Sequence, residues 1–429
     1  MTLPTVGFVG MTHLGLNSAV AAAEKGVSVI CVDVDCSLID QLRTGYLPIA
    51  EPQFAELLAK NNDSIVFSSD LTTLQRCDLV YVAPDVATDE EGRSDLSVID
   101  ALLNAAATSI RPDAVLVVLS QVPPGFTRAR CAVHGILFYQ VETLIFGRAM
   151  ERALYPERYI IGAADPVAEL PSAYQAFLEL FSCPVLKMCY ESAELAKISI
   201  NCCLVASISV ANTLAELCEE TGADWSEIVP ALKLDKRIGQ YAYLAPGLGI
   251  AGGNLERDLA TVMALAAEHG TDAGVVSSWV ANSAHRKSWP YRTLRRVILD
   301  RHRDAHVAVL GLAYKADTHS TKNSPALALL ENIRDCRVTV YDPVVPATVA
   351  PGVEGRKDAI EAARDADVLV IMTPWAAFRE ISPQDLAAVM RGRIVLDPYK
   401  VLDRAAATSA GLEYYTLGVA SGAGNRMED

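Results

Sequence analysis

Apolar and polar positions along the chain fall into blocks that read in turn as short strands and helices. Residues 5–10 form an apolar run closed by glycine, a helical stretch follows over 14–25, and Gly26 precedes the β-rich "VSVICVDVD". That order is a β-α-β unit. Apolar runs at 79–83 and 115–119 alternate with helical segments such as 97–107, a pattern that calls for a parallel sheet covered on both faces. The theme returns in the second half. "HVAVLGLAYKA" is strand-like, 324–333 is helical, and "RVTVYDP", "ADVLVIMTP" and "GRIVLDP" follow as strands with short helical intervals. Between the halves lies a mostly helical middle containing the apolar run "ISINCCLVASISVANTLAEL" from Ile198. The expected fold is α/β, with two Rossmann-like doubly wound parallel-sheet domains joined by a long central helix and a helical connector. The expected boundaries are 1–189, 190–290 and 291–429.

Length and composition agree with that division. A chain of 429 residues exceeds the size at which single cores stop growing. Hydrophobic residues at 51% and charged residues at 21% fit a soluble globular protein. The net charge of −15 argues against a nucleic-acid or anionic-membrane partner, while leaving room for a local basic pocket around a phosphate. The run from Ile198 has the length of a membrane span, but Asn201, Asn212 and Glu216 would be costly in lipid, so a buried central helix is expected. The ten cysteines form no CxxC pair, and strand-like "TVGFVG" stands where a secretory signal would be; reduced thiols in the cytoplasm are expected. Seven scattered histidines suggest no metal site. Acidic "ATDEEGRSD", 87–95, reads as a solvated loop.

Three stretches carry candidate chemistry. In "GFVGMTHLG", Gly10 and Gly15 stand at a strand-to-helix turn, and Asp33 closes the second strand about 20 residues further on. This suits a dinucleotide. Gly10 would make the tight turn, Gly15 would let the helix pack closely, the helix N-terminus would face the pyrophosphate, and Asp33 would take the ribose hydroxyls, favouring NAD over NADP. Thr12 occupies the middle-glycine position, adding bulk and a hydroxyl. The alternative is an α/β turn whose glycines serve packing alone. On the central helix Glu194, Lys197 and Asn201 fall within about 60° of one another and share a face. Lysine and asparagine in an apolar helix need partners, although a salt-bridged surface stripe would give the same spacing. Finally, "PGLGIAGGNLERDL", 246–259, is a glycine-lined stretch with Asn254 in its middle. Such backbone can lie flat against a ligand, or form a flexible surface loop.

Taken together, "AELAKISIN", "DKRIG", "PGLGIAGGNLERD", "SQVPPGFT", "GLAYKADT…NSPAL" and "YDP" resemble, in order and spacing, the UDP-glucose/GDP-mannose dehydrogenase family over nearly the whole chain. The resemblance implies an NAD domain, a long central helix that builds a homodimer, and a C-terminal domain for the nucleotide sugar. It also implies oxidation of the sugar C6 alcohol to a carboxylate with two NAD, through an aldehyde captured by a cysteine thiol. By the same resemblance Lys197 would stabilise the developing oxyanion, Asn201 would hold sugar or water, Asp258 would act with Lys197 on the catalytic water, and Glu142 would line the site. Arg237 would reach the sugar across the dimer. Thr143, Leu144, Gly249, Gly252, Gly253, Tyr314 and Lys315 complete the implied substrate set. The implied cofactor set is Gly10, Thr12, His13, Leu14, Gly15, Asp33, Pro84, Ser120, Gln121, Arg257 and Lys322.

The chain departs from the family at the nucleophile. Alignment places Asn254 at the family's cysteine, and a carboxamide has no ionisable thiol to form a covalent hemiacetal. None of the ten cysteines lies in that loop; Cys202 and Cys203 stand on the central helix and read as packing residues. Glu256 and Arg257 replace Pro-Lys, Thr143 and Phe146 alter the sugar-facing segment, Gln121 replaces a threonine, and Lys322 replaces an arginine that usually meets phosphates. Three outcomes follow: a dehydrogenase whose aldehyde hydrates without covalent capture, a single-hydride oxidation or redox-neutral epimerisation with recycled NAD, or a non-catalytic nucleotide-sugar binder.

Overall fold

Runs of Val, Ile and Leu only four or five residues long, buried on both faces, can be satisfied only as interior strands. The computed structural model describes residues 3–49, 51–89 and 92–420. Two units are distinguished, Met1–Ile200 and Asn201–Asp429. The first contains strands β1 (Val6–Val9), β2 (Val29–Val32), β3 (Ile65–Ser68), β4 (Leu79–Val82), β5 (Val115–Val118), β6 (Leu137–Gln140), β7 (Tyr159–Ala163) and β8 (Val185–Cys189). They form one sheet in the order β3-β2-β1-β4-β5-β6-β7-β8. Alternation sends Val29, Cys31, Leu79 and Tyr81 into one core and Ile30, Val32, Val80 and Val82 into the other. The sheet is parallel except between β6 and β7, where Tyr139 opposes Gly162 in antiparallel register.

The second unit contains β9 (His306–Leu310), β10 (Arg337–Tyr341), β11 (Glu354–Gly355), β12 (Val368–Ile371), β13 (Ile394–Leu396) and β14 (Glu413–Tyr415), all parallel, in the order β11-β10-β9-β12-β13-β14. Both sheets therefore reverse strand order beside their first strand, the crevice where doubly wound sheets receive ligands. Helices Trp225–Leu234, Asn254–His269 and Gly274–Lys287 also belong to this unit.

One continuous helix, Tyr190–Thr221, begins in the first unit and ends in the second. It is long and apolar enough to cross a membrane by length and composition. It nevertheless carries buried Glu194, Asn201, Ser209 and Asn212. It is not the buried core helix expected from its composition, because Leu195, Val210, Leu214 and Leu217 are exposed. Its sequence is apolar all round, yet packing within the chain covers only part of that surface. In the acidic segment 87–95, Thr88 and Ser94 pair in an isolated antiparallel bridge, and Arg93 lies 2.7 Å from Asp89; Glu90 and Glu91 fall outside the described residues.

Candidate functional site

In the first unit, the turn after β1 is made by Gly10 at φ +96°, where a Cβ would meet the Pro84 nitrogen at 2.8 Å. Gly15 sits in helix His13–Glu24, and a Cβ there would lie 1.9 Å from the Gly10 carbonyl oxygen. Both positions demand glycine, the first for its left-handed backbone and the second for close approach. Thr12 does not need glycine: its φ of −88° and ψ of −171° are ordinary extended values. Its hydroxyl accepts the Asp85 N–H at 2.8 Å and points to the Ala83 carbonyl, tying the turn to the segment after β4. At the end of β2, Asp33 accepts the Met11 N–H at 2.7 Å and the Asp35 N–H at 3.0 Å. Leu14 and Pro84 are buried, Ser120 donates to the Pro84 carbonyl, and Gln121 is buried beside it in sequence.

Two residues absent from the sequence expectation stand at this turn. Asp85 accepts the His13 N–H at 3.0 Å. Although Asp85 is a surface residue, its carboxyl is ringed by protein, which pushes it above the ordinary carboxylate range; the His13 imidazole and Thr12 hydroxyl oppose that and Glu142 adds to it. Glu51 bonds the His13 ring at 2.8 Å and accepts the Gly147 N–H at 2.8 Å and the Ala149 N–H at 3.2 Å. The His13 ring also lies against Phe146, with centroids 4.2 Å apart. Glu51 thus fastens the loop that follows Glu142 to the glycine turn. Neither acid belongs to a recognisable spacing, so only the folded backbone reveals them.

The three polar residues of the long helix have separate partners. Glu194 is fully buried and accepts the Gly125 and Thr127 N–H groups at 2.6 and 2.8 Å. Burial raises its carboxyl and those amides pull it back. Lys197 Nζ is 2.7 Å from Glu142, with side chains only 12% and 17% exposed. Glu142 also accepts the Leu144 N–H at 2.9 Å, and the Thr143 carbonyl accepts from Arg152 at 3.3 Å. A solvated salt-bridge stripe is thereby excluded. One helical turn after Lys197, Asn201 belongs to the second unit and donates its side-chain amide to Asp258.

In that unit Asp258 is 1% exposed and its other oxygen lies 3.4 Å from Arg257 Nε. Asn254 is exposed at the first position of helix Asn254–His269, four residues before Asp258 and so on the same face. Glu256 is tied to Asn323 and lies 3.7 Å from Lys287. The preceding glycines have positive φ: Gly249 at +81°, Gly252 at +90° and Gly253 at +98°. A Cβ on Gly249 would meet the Ser283 carbonyl at 2.4 Å, one on Gly252 the Tyr314 ring at 2.6 Å, and one on Gly253 the Lys322 chain at 3.2 Å. Packing within the chain therefore calls for glycine at 249 and 252, and left-handed backbone favours it at 253 as well. Gly247 donates to Asn212 at 2.8 Å, Ile250 to Ser283 at 2.7 Å and Gly252 to the Lys322 carbonyl at 3.1 Å. Lys315 Nζ lies 5.8 Å from the Tyr314 ring centre. Arg237 is held by Asp235 at 2.6 Å with its side chain 89% exposed.

A second strand-glycine arrangement repeats the first. Gly311 follows β9 at φ +93°, and Asp342 at the end of β10 accepts the Leu312 N–H at 2.6 Å and the Ala313 N–H at 3.1 Å. Asp342 also accepts from Trp375 and from the Val344 and Val345 amides. It is saturated by the protein. Among the described residues no group of three or more His, Cys, Asp or Glu is placed to hold a metal ion.

The strand order, the Gly10–Gly15 cradle and Asp33 define the first unit as a dinucleotide-binding α/β domain. The chain belongs to the UDP-glucose/GDP-mannose dehydrogenase family: it matches the NAD binding domain over 4–181, the central domain over 191–283 and the UDP binding domain over 308–404. It is 30% identical over 433 residues to a UDP-glucose 6-dehydrogenase of Rhizobium meliloti, covering 96% of this chain and 99% of the relative. Among solved structures it resembles a UDP-glucose dehydrogenase from Pyrobaculum islandicum, with a TM-score of 0.84, 25% identity and 98% of each chain covered. A UDP-D-ManNAc dehydrogenase of Pyrococcus horikoshii shares the fold at a TM-score of 0.81, with 21% identity and 96% and 99% of the two chains covered. NAD is accordingly the cofactor, and the residues of the glycine turn fit it: Gly10 and Gly15 leave the space a dinucleotide turn needs, and Asp33 supplies the acid at the strand end.

Proposed function

We propose that this protein oxidises the C6 alcohol of a nucleotide sugar of the UDP-glucose type to the carboxylate, with free rather than thiol-bound aldehyde between its two oxidation steps. What supports the second half of that reading is Asn254, which the motif resemblance sets where the family carries its nucleophilic cysteine. Bound NAD supplies a hydride acceptor. The C6 alcohol loses a hydride and a proton to give an aldehyde; water adds to give the hydrate; the hydrate loses a second hydride and a proton to a second NAD. Alcohol, water and two NAD thus become carboxylate, two NADH and three protons. Lys197, held by Glu142, would stabilise negative charge on the C6 oxygen, and Asp258, oriented by Asn201, would accept a proton from water or hydrate.

Membership of a UDP-sugar-handling family and the 30% identity to a UDP-glucose 6-dehydrogenase support the substrate class. Retention of Lys197, Asn201, Asp258 and Glu142 in paired form favours an enzyme over a pure binder. We also propose a homodimer through the long helix; exposed Val210, Leu214 and Leu217 support it, since a contiguous apolar stripe is otherwise left to water. The function is tested by supplying purified protein with NAD and a panel of UDP- and GDP-sugars. Carboxylate formed with two NADH per sugar supports the proposal. An aldehyde or isomer with one NADH or none places the chain in the single-hydride or epimerase class, and tight sugar binding without turnover makes it a binder.

A further inference from the structure

We propose that Asp85 is a resident carboxylate that occupies the pyrophosphate end of the NAD site and must be displaced when the cofactor binds. The inference rests on NAD binding at the glycine turn, which membership of the family supplies. The first helix presents its free N–H groups and partial positive charge to whatever anion stands before it, and in this fold that anion is the cofactor's pyrophosphate. Here the His13 N–H is already taken by the Asp85 carboxylate at 3.0 Å. The arrangement is built from both sides. Thr12, standing where the motif has its middle glycine, accepts the Asp85 N–H at 2.8 Å and so fixes the backbone that aims the carboxylate. Asp85 follows β4, the strand beside β1 at the point where strand order reverses, so it stands at the mouth of the ligand crevice rather than on a remote loop.

Two anions cannot share one helix terminus without repulsion. Binding of NAD must therefore break the Asp85–His13 bond and move a negative charge away from the phosphates. The consequence is a cofactor held less tightly than the turn alone would allow. Such a site exchanges its cofactor readily, as two successive hydride transfers to two NAD molecules require. A redox-neutral enzyme that recycles one bound NAD would have the opposite need.

The test is titration calorimetry of NAD, ADP-ribose and adenosine into the full chain and into Asp85→Asn and Asp85→Ala, with circular dichroism to verify folding. Asparagine keeps the shape and can still accept the His13 N–H, but loses the charge. Tightening of NAD and ADP-ribose by about tenfold in both variants, with adenosine unchanged, is the expected result. Equal or weaker NAD binding in the folded variants overturns the inference while leaving the cofactor turn intact. So does an equal gain for adenosine, which carries no pyrophosphate. Failure of the folded wild-type chain and of both variants to bind any dinucleotide would overturn the reading of the turn itself, and the inference with it.

Discussion

Lys197 Nζ lies 2.7 Å from Glu142 Oε1, and both side chains are largely withdrawn from solvent. A pair so enclosed does more than decorate a surface, since exposed pairs hold neither partner firmly. Lys197→Ala is expected to lower kcat by about a hundredfold to a thousandfold, the loss typical of removing one oxyanion donor. NAD affinity, read by calorimetry, should not change. Loss of cofactor binding in a folded variant would place Lys197 outside the role proposed for it.

The Asn201–Asp258 pair makes a separable prediction. Asp258 is buried, and Asn201→Ala leaves one of its oxygens without that donor. Urea unfolding should report a loss of about 1–3 kcal/mol. Asp258→Asn keeps the volume but removes the charge and turns one acceptor oxygen into a donor, so stability should fall by an amount like that of Asn201→Ala while turnover falls far more.

Cys202 stands next to Asn201 and near Asp258, and is the thiol to test as an alternative nucleophile under the proposed function. Burial, then the Asp258 charge, push its thiol above the ordinary range, so it stays protonated and unreactive at neutral pH. A short iodoacetamide pulse at pH 7.5, followed by peptide mass spectrometry, should label exposed Cys36 and Cys131 well before Cys202. Cys202→Ala should retain turnover; abolition of activity in that variant would make the thiol the nucleophile after all.

Stability of the second unit depends on a polar cluster that no catalytic reading uses. Arg286 is fully buried between Glu216 at 3.2 Å and Glu219 at 3.3 Å. Glu219 also accepts the Trp289 indole N–H at 2.8 Å and the Gly418 N–H at 3.0 Å. Glu219→Ala leaves Arg286 with Glu216 alone and removes the acceptor of two further N–H groups, and is expected to cost about 1–3 kcal/mol in chemical denaturation.

Much of this architecture was legible because short apolar runs ending in glycine have few other uses. Gly10 with Asp33, and Gly311 with Asp342, repeat one strand-turn-acid pattern in the two sheets. The pattern cannot reveal direction where the connection is irregular: the antiparallel β6–β7 pair has the same buried composition as its parallel neighbours. Nor could helical spacing divide roles among Glu194, Lys197 and Asn201, because a shared face says nothing about what packs against it. Composition likewise overstated the burial of the long helix, since apolarity does not say which part of a surface the same chain will cover. Asp85 and Glu51 were invisible for a related reason: each acts on backbone N–H groups far away in sequence, and backbone leaves no signature in residue type.

The central claim is a two-step oxidation without covalent capture, and product stoichiometry under rapid acid quench tests it most directly. With UDP-glucose and excess NAD, two NADH per carboxylate and no sugar-bearing adduct in the intact-protein mass spectrum are predicted. A covalently bound sugar intermediate, or a reaction that ends at one NADH per sugar, would contradict the account.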